Sequence, residues 1–187
     1  ATQVSAGTLL VNGSIGDSAV TVSSGASLGG SGSIGTGAVL NTVTINGTLS
    51  PGNSPGILTI NDNLDLNGSL SLDLLGLNPG SEHDRIILNG SGDLGGTLDL
   101  LWGLATPATV NTELILILND GADAFTGAFS NAADLAQMQD NLGNFWQVRY
   151  GGGDGNDLSI VAVPEPKAVL LGVLGAVTLL RRRRAVR

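Results

Sequence analysis

Asn67-Gly68-Ser69-Leu70-Ser71-Leu72-Asp73-Leu74 decides how this chain is read. Asn-Gly supplies a turn, because both residues tolerate positive φ. From Leu70 to Leu74 the leucines face one way and Ser71 and Asp73 the other, the period of a half-buried strand. Short apolar runs of the same kind recur at Thr8–Val11, Val20–Val22, Val43–Ile45, Leu58–Ile60, Arg85–Leu88, Leu98–Leu101 and Leu114–Leu118. Gly- and Asn-rich breaks bound them, and helical periodicity is absent. Asp65, Asp73 and Asp99 alternate with Leu and are expected on a solvent face.

The turn triplet itself recurs. Asn12, Asn46, Asn67 and Asn89 are each followed by Gly and then Ser or Thr, the last three at intervals of 21 and 22 residues. A spacing near 21 with strand-turn-strand content fits one coil of a parallel β-helix, each coil stacking small aliphatics on the next. An antiparallel sandwich is the competing reading. The triplets are formal glycosylation sequons, but their recurrence at turn positions points to a structural origin.

Composition narrows the choice. The chain has 187 residues, 29 of them Gly, no Cys, 42% hydrophobic and 3% aromatic residues. It is too apolar for disorder and has neither disulfides nor thiolate metal sites to lean on. Its net charge of −8 divides unevenly. Residues 1–163 hold Arg85 and Arg149 against fifteen acids, a net −13, whereas 164–187 hold six cations against Glu165, a net +5. An acidic body offers no footprint for nucleic acid.

Residues 119–162 read as a region capping the β repeats of 1–118. Asn119–Asn131 is a loop carrying Phe125 and Phe129, Asn131–Leu142 is expected as a short helix with Asn131 as N-cap, and Phe145–Tyr150 returns to strand. Most aromatics fall between Phe125 and Tyr150, as a plug over the last coil requires; a carbohydrate-stacking face is the alternative. Gly152-Gly153-Asp154-Gly155-Asn156-Asp157 matches part of a calcium-binding nonapeptide, but a single copy with Ser159 at the apolar position reads as a Gly-rich turn. Glu82-His83-Asp84 is expected in an exposed loop. Gly30–Gly35 matches a dinucleotide fingerprint without the helix or acid that such a site needs. No catalytic residue, metal site or cofactor is expected.

The C-terminus, 163–187, is a separate unit. Ala168–Leu180 is uncharged and mostly apolar, and Arg181, Arg182, Arg183 and Arg184 follow it. As a helix the run would be about 20 Å long, short for a ~30 Å hydrocarbon core but tolerable with local thinning. The arginines should stay cytoplasmic. Val163-Pro164-Glu165-Pro166, the apolar run and the Arg cluster together resemble a PEP-CTERM sorting signal. Lys167 departs from the usual Ser, and the apolar run is short. The resemblance implies recognition of Pro164–Pro166 by a membrane-embedded exosortase in a Gram-negative, exopolysaccharide-producing bacterium.

Ala6–Gly35 and Thr42–Ile60 are similar to the autotransporter-associated β-strand repeat, with Gly47–Ile60 as the characteristic stretch and Gly25–Ile34 as the preceding half of the unit. That resemblance implies a right-handed parallel β-helix body with a short C-terminal transmembrane helix. It also implies an exported structural or adhesive protein of the cell surface or matrix, not an enzyme. A polysaccharide-active enzyme on the same scaffold is the alternative. Ala1-Thr2-Gln3-Val4 is not an export signal, so the chain is expected to be a mature form or the C-terminal part of a longer protein.

Overall fold

The computed structural model describes residues 1–120 and 123–165. Strands make up 53% of the structure, and no helix occurs among the described residues. The first coil consists of β1 (Thr2–Val4), β2 (Gly7–Leu10) and β3 (Ser14–Ile15). The second is β4 (Val20–Val22), β5 (Ala26–Gly30) and β6 (Ser33–Ile34). The third is β7 (Thr42–Ile45), β8 (Thr48–Pro51) and β9 (Ile57–Ile60). β10 (Asn63–Leu66), β11 (Ser69–Leu74) and β12 (Arg85–Leu88) make the fourth. β13 (Gly92–Leu94), β14 (Thr97–Trp102) and β15 (Glu113–Asn119) make the fifth. The chain then continues through β16 (Thr126–Gly127), β17 (Gln137–Gln139), β18 (Phe145–Gly152) and β19 (Asp157–Val163).

Every third strand joins the same sheet. β1, β4, β7, β10, β13 and β16 form one; β2, β5, β8, β11 and β14 a second; β3, β6, β9, β12 and β15 begin a third. All pairings in the first two sheets, and those from β3 to β15 in the third, are parallel, which removes the sandwich reading. The architecture is compatible with stacked coils of a parallel β-helix. Beyond β15 the third sheet turns antiparallel, continuing through β19, β18 and β17.

Alternation along each strand becomes columns down the stack. Val22, Ile45, Leu66 and Leu94 are in register on one wall. Leu28, Leu49, Leu70 and Leu98 line the second, and Ile34, Ile60 and Leu88 the third. These residues are buried in one continuous core. Each buried aliphatic contributes roughly 1.5–3 kcal/mol, so small side chains repeated often replace the missing aromatics. Asp65, Asp73 and Asp99 alternate outward as expected.

Three expectations need correction. Coil length is not fixed near 21: Thr2 pairs with Val20, Leu49 with Leu70, Leu70 with Leu98 and Ile86 with Ile117, so later coils absorb longer corner loops. Asn46 and Asn67 do occupy one corner, and their side chains meet at 3.5 Å. Asn89 does not; it turns a different corner, where its amide donates to Asn61 Oδ1 at 2.7 Å, and the partner position to Gly68 is Gly96.

Secondly, Gly47, Gly68 and Gly96 lack positive φ. A Cβ on Gly68 would lie 1.9 Å from the Gly47 carbonyl oxygen, and one on Gly96 1.6 Å from that of Gly68. Close approach of the coils, rather than turn conformation, demands glycine there.

Thirdly, Asn131–Leu142 is not a helix. Leu135 sits at φ 64°, which no helix accommodates, and 137–139 pair antiparallel with β18. Asn131 serves the neighbouring strand instead of capping a helix. Its side chain accepts from Leu98 N and donates to Leu98 O, both at 2.9 Å.

Candidate functional site

A groove of about 510 Å³ crosses the outer face of β2, β5, β8 and β11. Register and alternation build its floor. Thr8, Ser27 and Thr48 stand side by side on successive coils, and Ser50 and Ser71 stand on the next outward row. The corner after β8, Gly52 to Gly56, forms one wall. There Asn53 donates to Asn12 Oδ1 at 2.9 Å, and the Ser54 hydroxyl donates to Asp73 Oδ2.

Behind that wall lies a buried carboxylate. Asp84 is 1% exposed; Oδ1 accepts from Gly56 N at 2.7 Å and Oδ2 from Asp73 N at 2.8 Å. Burial pushes its pKa up to about 6, against the pull of those two N–H groups and with the Asp73 charge adding to the rise. Asp84 thus ties the corner of one coil to the strand of the next. It cannot reach a molecule in the groove, whereas Asp73 lines it.

His83 is buried, not in an exposed loop: its exposure is 0%. The segment after β11 folds back on itself, with Leu75 N donating to Glu82 O at 2.7 Å and Leu74 bridging to His83. Glu82 fastens the turn by accepting from Leu77 N, Asn78 N and the Asn78 amide. Burial, and next the Arg85 charge, hold the pKa of His83 below the usual histidine range.

The aromatics of 125–150 divide by depth. Phe129 and Trp146 are buried in the core, and Trp146 meets Trp102 with ring centroids 5.6 Å apart. The Tyr150 hydroxyl donates to Ala132 O and accepts from Phe129 N, both at 2.8 Å. Phe129 and Trp146 therefore cannot serve as a carbohydrate-stacking face. The Gly152–Asp157 segment is a turn between β18 and β19, closed by Gly155 N donating to Gly152 O at 2.8 Å.

Of the sorting-motif residues, Val163 ends β19 half-buried, and Pro164 and Glu165 follow it, exposed. Pro166, the apolar run 168–180 and Arg181, Arg182, Arg183 and Arg184 lie outside the described residues. Among the described residues no helix is long and apolar enough to cross a membrane. The groove and the buried Asp84 had no motif in the sequence; strand alternation around Ser71 and Asp73 was the available signal. Comparison with protein-family models, with curated proteins and with solved structures returns no match.

Proposed function

We propose that this chain is an exported structural or adhesive protein of the cell surface or extracellular matrix, built as a right-handed parallel β-helix and sorted through its C-terminus. The observation that carries this reading is the position of the sorting motif. Beyond half-buried Val163, Pro164 and Glu165 emerge exposed from the last strand of the acidic body, where an enzyme could reach them without unfolding the coils.

An exosortase acts at Pro164–Pro166, residues 168–180 hold the protein at the inner membrane, and Arg181–Arg184 remain cytoplasmic by their charge. The setting is the envelope of a Gram-negative bacterium, with exopolysaccharide as a partner. Stacked coils suit such a role, since repetition gives an extended surface from one short unit. Intact-mass analysis of surface-released protein is the test: processing removes the Arg-rich end, and a C-terminus still carrying Arg181–Arg187 sinks the sorting reading.

The rival reading, a polysaccharide-active enzyme, draws on the Asp73–Asp84 neighbourhood, because glycoside hydrolysis uses a pair of carboxyl groups. The burial of Asp84, with both oxygens accepting backbone N–H groups, weighs against it. Cleavage of a polysaccharide by purified protein, abolished by Asp73→Asn, would favour it.

A further inference from the structure

The groove over β2, β5, β8 and β11 has a chemistry that selects its occupant. No Lys or Arg lines it, and Asp73 adds to the field of a body with net charge −13, so an anionic polymer is repelled. No aromatic lines it either; Leu10, which is 54% exposed, Leu28 and Pro51 add apolar surface beside the hydroxyls. The backbone of these strands is spent on neighbouring strands, so an added peptide strand finds no free N–H or C=O on this face. What the floor offers is hydroxyls, each able both to donate and to accept.

Shape supports the same choice. Gly29 keeps the floor low between Leu10 and Ser50, because the next coil passes so close that a Cβ there would lie 2.4 Å from Ser50 O. The Ser54 hydroxyl occupies one oxygen of Asp73 and leaves the second as an acceptor. Neighbouring strands repeat every ~4.8 Å, close to the advance per unit of an extended β-linked hexopyranose chain. A chain laid along the stack therefore meets Thr8, Ser27 and Thr48 on three successive coils and Ser50 and Ser71 on two.

We propose that this groove binds a neutral, extended β-linked glycan, aligned with the stacking direction at about one sugar unit per coil. This gives a ligand class to the adhesive role proposed above and rests on that reading.

The test is titration of cello-oligosaccharides into the full chain, followed by chemical shifts of groove residues. Affinity is expected to rise roughly tenfold or more from cellobiose to cellotetraose, because each added coil contributes hydrogen bonds, and to level off beyond, since the groove crosses the four strands named. Ser71→Tyr fills the groove and should weaken cellohexaose binding at least about tenfold, whereas Thr97→Tyr, on the same sheet face outside the groove, should leave it unchanged. The melting transitions of both variants check that they fold.

The proposal is overturned by absence of saturable cellohexaose binding, by binding indifferent to Ser71→Tyr, or by preference for an oligogalacturonate of equal length. Because binding is measured on purified protein, such a failure leaves sorting standing. An unprocessed C-terminus at the surface would have the opposite effect.

Discussion

Gly95 and Gly96 are adjacent, chemically identical and under opposite constraints. A Cβ on Gly96 would lie 1.6 Å from the Gly68 carbonyl oxygen, whereas on Gly95 nothing lies closer than 3.8 Å. Gly96→Ala is expected to cost about 3 kcal/mol or more in urea unfolding, and Gly95→Ala to fall within about 0.5 kcal/mol of the parent. Equal losses would remove the close-approach account of the corner.

Asp84 gives a second test at this scale. Its folded pKa of about 6 lies above the usual aspartate value, so the native state holds a proton that the unfolded state releases. Stability from this group is therefore gained as pH falls through 6 and lost as pH rises through it. His83 works in the other direction, its depressed folded pKa favouring the native state as pH rises. Comparison with Asp84→Asn isolates the carboxyl: the parent should gain roughly 1 kcal/mol relative to the variant between pH 7.5 and pH 5. A pH-independent difference would refute it.

The sequence carried the glycine-rich corners plainly but assigned them the wrong cause, since a steric limit set by the next coil has no local signature. His83 was misplaced for a similar reason. Its neighbours Glu82 and Asp84 read as solvent-seeking, yet the fold-back after β11 spends both on backbone N–H groups and carries the ring inside.

Strand β14 shows how an element end is managed. β14 is the last strand of its sheet, an edge open to pairing with another chain. Asn131 imitates the missing strand at Leu98, and Asn141 does so at Leu104, accepting from its N and donating to its O at 3.0 Å each. Removing both amides with Asn131→Ala and Asn141→Ala leaves four backbone groups without these partners. The double variant is expected to lose about 2–4 kcal/mol and to self-associate in light scattering where the parent does not; a variant of parent stability and parent size would show that the amides do not guard the edge. The helix expectation for Asn131–Leu142 failed at this point. Asn at a helix start and Asn sealing a strand edge look alike in sequence, and the distinction depends on β14, more than thirty residues away.

Across the whole molecule, the parallel stacking of coils was legible because the coils repeat inward aliphatics, with Leu28, Leu49, Leu70 and Leu98 recurring in register; that each coil has three walls was not. Coil number and length were not, because corner insertions such as 75–84 shift the period without disturbing the walls. The groove was legible only in part, since Thr8, Ser27 and Thr48 become neighbours through register alone.

The path of β19 has a mechanical consequence. It leaves the body at Val163 yet lies inside its sheet, hydrogen-bonded to β15 on one side and β18 on the other. Tension applied at Glu165 would not peel an edge one bond at a time. It would load two antiparallel ladders in shear, so that their bonds resist together and must rupture nearly at once. A chain tethered through its C-terminus would thus meet drag with its most cooperative joint, at the point where the load on the whole body is summed.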